Sequence, residues 1–264
     1  MKNLRTYGKA PFNVALIHGG PGASGEMAPV ARELSASGIG ILEPLQTATS
    51  IRGQVEELKT VLKKNIDNPI TLIGFSWGAW LSYIFTASYP TFVTKLILIG
   101  SGSFEEKYNS QLLQTRLKRL SKDEKRKAKN FFEILENPAS ENKNRVFMQF
   151  GELLLKADAY DPIEYKFKEI DCCYDLFQSV WKDAELLRKS GKLLEIGKHI
   201  KCPVVAIHGD NDPHPAEGVQ KPLSAILKNF KFILLKNCGH IPWIERQAKD
   251  FFFEILKQKI QNTI

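Results

Sequence analysis

Short apolar runs alternate, in the first hundred residues, with stretches whose apolar positions recur every three or four. Phe12–Ile17 reads as a buried strand ending at His18. A glycine-rich turn follows, Gly19-Gly20-Pro21-Gly22, and then a helix over Pro29–Ser35, since proline at a first helical turn gives up no hydrogen bond. Ile39–Leu42 is the second strand, and Val55–Leu62 carries the spacing of an amphipathic helix. Ile70–Ile73 is the third strand, Trp77–Ser88 a helix, and Leu96–Ile99 the fourth strand. Continuous Leu/Ile runs suit strands buried on both faces, so the pattern predicts a doubly wound, parallel sheet.

The alternation stops near Ser103 and resumes with strand Val204–Ile207, helix Leu223–Leu227, strand Phe232–Leu235 and helix Phe251–Ile260. The stretch between is helical, polar and charged, with no convincing strand. One α/β core, residues 1–102 and 199–264, is therefore expected to carry a helical cap inserted as residues 103–198.

Composition narrows the class. At 264 residues, with 43 % hydrophobic and 25 % charged positions, the chain fits a soluble globular enzyme. No apolar run approaches the ~20 residues of a membrane span. The basic N-terminal residues precede no apolar signal core, which points to the cytoplasm. Cys172, Cys173, Cys202 and Cys238 show no C-x-x-C spacing and read as reduced thiols. Net charge is +8, and Arg116–Lys129 holds eight basic and two acidic residues. No aromatic interleaves them, so this reads as a solvated helix face and not as a nucleic-acid or membrane patch.

The chemistry centres on Gly74-Phe75-Ser76-Trp77-Gly78, a G-x-S-x-G pentapeptide between a strand and a helix. In that setting the serine is exposed on a sharp turn at the C-terminal edge of the sheet. A serine hydroxyl needs a base, and His240, just after the last strand, reaches the same edge. The histidine needs a carboxylate: Asp212 follows strand Val204–Ile207 in Gly209-Asp210-Asn211-Asp212, with Asp210 on the same turn as the alternative. The N–H groups of Trp77 and of Gly20 are the candidate donors to a substrate oxyanion. Phe75, Trp77 and Trp181 are candidate apolar pocket walls.

Two other patterns compete. Gly20-Pro21-Gly22-Ala23-Ser24-Gly25 with Glu43 matches a dinucleotide fingerprint on paper. Pro29, however, would fall inside the helix that such a site needs at its third glycine. His208, Asp210, Asp212 and His214 alternate like metal ligands, but Pro213 and Pro215 break the extended geometry. Neither a cofactor nor a metal is expected.

The pieces His18-Gly19-Gly20-Pro21-Gly22, the Ser76 pentapeptide, Gly209-Asp210-Asn211-Asp212 and Gly239-His240 together resemble the α/β-hydrolase superfamily. The first turn and Ser76-Trp77-Gly78 look like its proline iminopeptidase branch, which removes N-terminal proline from peptides. The resemblance implies a Ser76–His240–Asp212 triad with Gly20 and Trp77 lining an oxyanion hole. That branch has Gly where this chain has Phe75, and a different segment where this chain has Glu43–Ser50. Members usually begin with two antiparallel strands, which the short N-terminus scarcely accommodates, so six strands, all parallel, are expected. An open sheet edge would leave room for a homo-oligomer. The resulting expectation is a cytoplasmic serine hydrolase acting on an ester, amide or aminoacyl bond of a small molecule or short peptide. The alternatives are a C–C bond hydrolase or lyase, or a non-catalytic ligand-binding protein on the same scaffold.

Overall fold

The structure is a computed structural model that describes residues 3–164 and 170–261. The chain enters through β1 (Leu4–Tyr7) and β2 (Phe12–Ile17), then makes a two-residue strand, β3 (Ala23–Ser24). It continues through α1 (Ala28–Ala36), β4 (Gly40–Pro44), α2 (Ile51–Asn65), β5 (Ile70–Phe75), α3 (Trp77–Ser88) and β6 (Val93–Ile99). An insertion follows: α4 (Leu112–Arg119), α5 (Lys122–Glu136), α6 (Lys143–Asp158), β7 (Asp171–Cys172), α7 (Tyr174–Lys189) and α8 (Lys192–Glu195). The sheet resumes with β8 (Val204–Gly209), α9 (Glu217–Ile226), β9 (Phe230–Leu235) and α10 (Lys249–Gln261).

Among the described residues the main sheet has seven strands in the order β1-β4-β2-β5-β6-β8-β9. Six are mutually parallel, while β1 pairs antiparallel with β4, Leu4 opposite Pro44 and Tyr7 opposite Ile41. This corrects the expected six-stranded, all-parallel sheet. Four mostly polar residues, none of them fully buried, are enough for an edge strand but too few to show a period. The outer side of β4 is therefore covered by the chain itself.

The inner parallel strands are buried on both faces, which explains their apolar runs, whereas β9 at the edge is only partly buried. Ala15, Ile17, Leu72, Leu96, Leu98, Val204 and Ala206 pack against α2, α3, α7 and α9. Their neighbours Val14, Leu16, Ile73, Ile97, Ile99, Val205 and Ile207 pack against α1 and α10. Each strand thus spends alternate side chains on opposite layers. All strand–helix turns that carry candidate chemistry then fall at one edge of the sheet.

The insertion is mainly helical, as its composition predicts, and α5 opens on a capping box of Ser121 and Glu124. One short ladder was not expected: β7 pairs antiparallel with β3, Ala23 opposite Cys172 and Ser24 opposite Asp171. Two residues give no pattern to read. The ladder nevertheless fastens the insertion to the glycine-rich turn after β2. Among the described residues, no helix is long and apolar enough to cross a membrane.

Candidate active site

Ser76 stands between β5 and α3 with φ 52° and ψ −116°. A side chain in that region costs roughly 1–3 kcal/mol and persists only where its surroundings enforce it. Here the enforcement is visible. A Cβ on Gly74 would lie 2.1 Å from the Gly78 carbonyl oxygen, and one on Gly78 would lie 2.2 Å from that of Ile17. The two glycines let α3 start directly against the ends of β5 and β2. The Ser76 N–H donates to the Ile99 carbonyl at 2.9 Å, which fixes the turn to β6.

His240 and Asp212 arrive on the loops after β9 and β8. His240 Nε2 lies 3.1 Å from Ser76 Oγ, and His240 Nδ1 lies 2.7 Å from Asp212 Oδ2. A carboxylate only accepts, so the proton sits on Nδ1 and Nε2 is free to accept from the serine. Burial alone would lower the His240 pKa, but the Asp212 charge and hydrogen bond outweigh it and raise the imidazole above its usual value. Burial likewise opposes ionisation of Asp212, yet His240, His208 and His214 hold its carboxyl well below the usual range. The alternative acid faces elsewhere: Asp210 accepts from the Cys238 N–H at 3.3 Å and pairs with Lys236 at 3.6 Å.

A second histidine, His214, completes the surroundings of Asp212. His214 donates to Asp212 Oδ1 through its backbone N–H at 2.8 Å and its Nδ1 at 2.9 Å. Burial lowers its pKa to about 4, so it works as a neutral donor, its ring centroid 4.8 Å from that of His240. His208 Nε2 donates to the His214 carbonyl at 2.9 Å. Asp212, His214 and His240 have ligand-type atoms within 4.8 Å of one another and are the residues that could hold a metal. Both oxygens of Asp212 are taken up by N–H donors, so a cation would have to displace those protons.

The turn after β2 is held from below by a buried polar network. Burial lowers the His18 pKa to about 4. Its neutral ring donates from Nδ1 to the Gly19 carbonyl at 2.9 Å and accepts the Gln46 N–H at Nε2 at 3.1 Å. Gln46 also accepts from Trp77 Nε1 at 2.8 Å, as Gln54 does at 3.1 Å. One network therefore ties the Gly19–Gly20 turn to Trp77, whose N–H opens α3 and has no acceptor within the helix. Gly20 has φ 24°, and its carbonyl accepts the Ala23 N–H at 2.8 Å. The dinucleotide alternative fails here, because α1 begins only at Ala28, beyond the third glycine of the pattern.

The insertion holds the histidine loop. The His240 N–H donates to the Asp158 carbonyl at 2.9 Å. The Asp158 carboxylate is gripped by Arg116 from α4 in two bonds of 2.7 Å. Glu245 is fully buried and accepts three backbone N–H groups: Gly239 at 2.9 Å, Tyr160 at 2.9 Å and Asp161 at 2.8 Å. Arg116 thus departs from the solvated role expected of the basic stretch, whereas Lys122, Lys125, Arg126, Lys127 and Lys129 are exposed. Nothing in the sequence marked Asp158 or Glu245, since both act on backbone atoms.

Of the three aromatic residues expected as pocket walls, Phe75 and Trp77 are buried, Trp77 with its indole N–H on Gln46 and Gln54, and Trp181 is packed between two rings. Phe75 is 1 % exposed, its ring 5.0 Å from His240 and 4.7 Å from Trp243, so it supports the imidazole from behind. Trp181 is sandwiched between Trp80 at 5.9 Å and Phe177 at 5.8 Å. Phe177 and Trp181 are four apart on α7 and share one face, which pins the insertion onto α3.

Comparisons with known proteins place the fold and the family. The chain is 25 % identical over 255 residues to a proline iminopeptidase of Lactobacillus delbrueckii subsp. lactis, covering 89 % of this chain and 85 % of that one. Its fold superposes on the crystal structure of VinJ with a TM-score of 0.67 at 17 % identity, covering 99 % of this chain and 95 % of that one. It superposes on the monoacylglycerol lipase of Paleococcus ferrophilus with a TM-score of 0.60 at 14 % identity, covering 97 % of each chain. The family model of the alpha/beta hydrolase fold matches residues 13–247, a span that holds Ser76, Asp212 and His240, and the chain belongs to that family.

Proposed function

We propose that the protein is a serine hydrolase that cleaves an ester, amide or N-terminal aminoacyl bond of a small substrate through an acyl-enzyme. The observation that carries this reading is the unbroken hydrogen-bonded chain from Ser76 Oγ through His240 to Asp212. Ser76 Oγ attacks the substrate carbonyl carbon as its proton passes to His240 Nε2. Asp212 stabilises the imidazolium, and the Gly20 and Trp77 N–H groups take the oxyanion, each donor worth about 10²–10³ in rate. His240 then gives the proton to the leaving group, leaving the acyl group on Ser76. Water attacks that ester, loses its proton to His240, and the free acid departs.

The insertion, residues 103–198 in this reading, acts as the cap over the site. The similarity to proteins named proline iminopeptidase supports aminoacyl substrates within this class, and the fold shared with a lipase supports esters. A cytoplasmic setting fits four cysteines that are all free thiols.

The test is to mix enzyme with a p-nitrophenyl ester, quench in acid, and weigh the peptide that contains Ser76. The expected result is a burst of nitrophenol and a mass gain of one acyl group on that peptide. Turnover without an adduct would favour the C–C hydrolase chemistry, in which the histidine acts as base without an acyl-enzyme. Neither turnover nor adduct over a panel of acyl and aminoacyl esters would favour a binding protein.

A further inference from the structure

The geometry points to Glu26 as the positioning residue of the oxyanion turn: its carboxylate takes the Gly19 N–H and so aims the neighbouring Gly20 N–H at the substrate oxygen. This rests on the serine hydrolase reading above and adds a residue to it that the motifs do not contain.

Glu26 lies two residues before α1, on the same loop as the glycine-rich turn, and is half-buried. Its Oε2 accepts the Gly19 N–H at 3.0 Å, closing the stretch from Gly19 to Glu26 upon itself. The fit is close. A Cβ on Gly19 would stand 2.5 Å from Glu26 Oε2 and 2.9 Å from the Phe75 ring, so this turn accepts the carboxylate only with glycine there. The Gly19–Gly20 peptide and the peptide groups on either side of it are then each held by one bond. His18 holds the Gly19 carbonyl, Glu26 holds the Gly19 N–H, and the Ala23 N–H holds the Gly20 carbonyl. With both neighbouring peptide groups tied, the direction of the Gly20 N–H is no longer free. That is the preorganisation an oxyanion donor needs, because a donor that reorients during reaction loses what it gains.

The carboxylate has a second consequence. The titratable groups that face it are His240, from the loop after β9, and Cys172, from β7. Burial pushes the Glu26 carboxyl up to about 7, with the His240 charge and the Gly19 N–H pulling the other way. An ionised Glu26 therefore favours the imidazolium that forms on His240 as Ser76 loses its proton. When Glu26 is protonated it is a weaker acceptor for Gly19 and no longer supports that imidazolium. Both effects lower activity as pH falls through about 7.

The test compares Glu26→Ala and Glu26→Gln with the parent enzyme. The substrates are neutral p-nitrophenyl butyrate and a cationic aminoacyl p-nitroanilide. A fluorophosphonate titration counts competent sites, so misfolded material does not enter the rates. If the parent itself is neither labelled nor active, the serine hydrolase reading falls before any variant is compared. Given an active parent, Glu26→Ala should lower kcat per labelled site about 10–100-fold on both substrates, with KM changed less than about threefold. A trifluoromethyl ketone, whose hydrate oxygen occupies the same place, should weaken by the same factor. Glu26→Gln keeps an acceptor and should recover to within about fivefold of the parent at pH 8.5, while its acid limb of kcat/KM becomes shallower and moves to lower pH. A kcat per site in Glu26→Ala within twofold of the parent would overturn the proposal. So would a loss confined to KM for the cationic substrate, which would make Glu26 a substrate-binding group instead.

Discussion

The sheet edge and the helical insertion reach the same histidine by different physical means. The edge delivers side chains: Ser76, Asp212 and His240 each sit on a loop that leaves a parallel strand. The insertion delivers backbone: the Asp158 carbonyl takes the His240 N–H, and the Tyr160 and Asp161 N–H groups share Glu245 with Gly239. Side-chain chemistry restricts residue type, so it leaves motifs. A carbonyl can come from any residue, so the insertion's hold on the site leaves none. In the proposed reaction the difference also divides the work: the edge would set the chemistry, and the insertion where the imidazole stands.

The largest test of this division lies at the edge. Asp212→Asn should lower kcat about 10⁴-fold, because it removes the charge that supports the imidazolium and no longer dictates the tautomer. Its acid limb should move to lower pH, since the Asp212 charge is what raises the His240 pKa. Asp210→Asn, on the same turn, should stay within a fewfold of the parent. Steady-state kinetics across pH 5–9 check both, and equal losses would erase the distinction between the two carboxylates.

Glu245→Ala breaks the comparison from the other side. It strips the acceptor from three N–H groups in a fully buried place and should cost about 3–5 kcal/mol in urea unfolding. Folded Arg116→Ala is the finer probe. It frees Asp158, whose carbonyl holds His240, and should lower kcat about tenfold while KM changes little. If Arg116→Ala raised only KM, the insertion would be acting on substrate and not on the histidine.

Those two residues mark where sequence reasoning stops. The strands before Ser76 and Asp212 could be read because buried parallel strands give continuous apolar runs, and the edge strand before His240 because its last four residues are apolar. The Ser76 turn could be read because it demands glycines at fixed places. β1 could not, being four mostly polar residues on an edge, and neither could β7, with two. Phe75 and Trp181 were expected as pocket walls because aromatic residues near a nucleophile suit a pocket. Composition does not say which way a ring faces, and both are used for packing. His214 was visible as a residue, but its role depends on a turn that folds it back onto the same carboxylate as His240.

The smallest expected effect is on stability at low pH, and it too separates the regions. His18 and His214 have folded pKa values of about 4 against roughly 6.5 in the unfolded chain. The unfolded state takes up protons first, so their contribution is complete above about 6.5 and is lost as pH falls from there toward 4. His240, raised when folded, acts in the opposite sense and partly offsets them. No histidine lies between residues 103 and 198. Hydrogen exchange at pH 5 should therefore lose protection around Gly19 and His214 before α5 does, and the reverse order would place the acid-sensitive element in the insertion.

The central claim is that His240 activates Ser76 directly. It is tested by the rate at which a fluorophosphonate modifies the parent and His240→Ala. Modification of the parent confined to the Ser76 peptide, slowed at least about 10³-fold in the variant, is the predicted result. Equal rates in the two proteins, or modification at another residue, would contradict it.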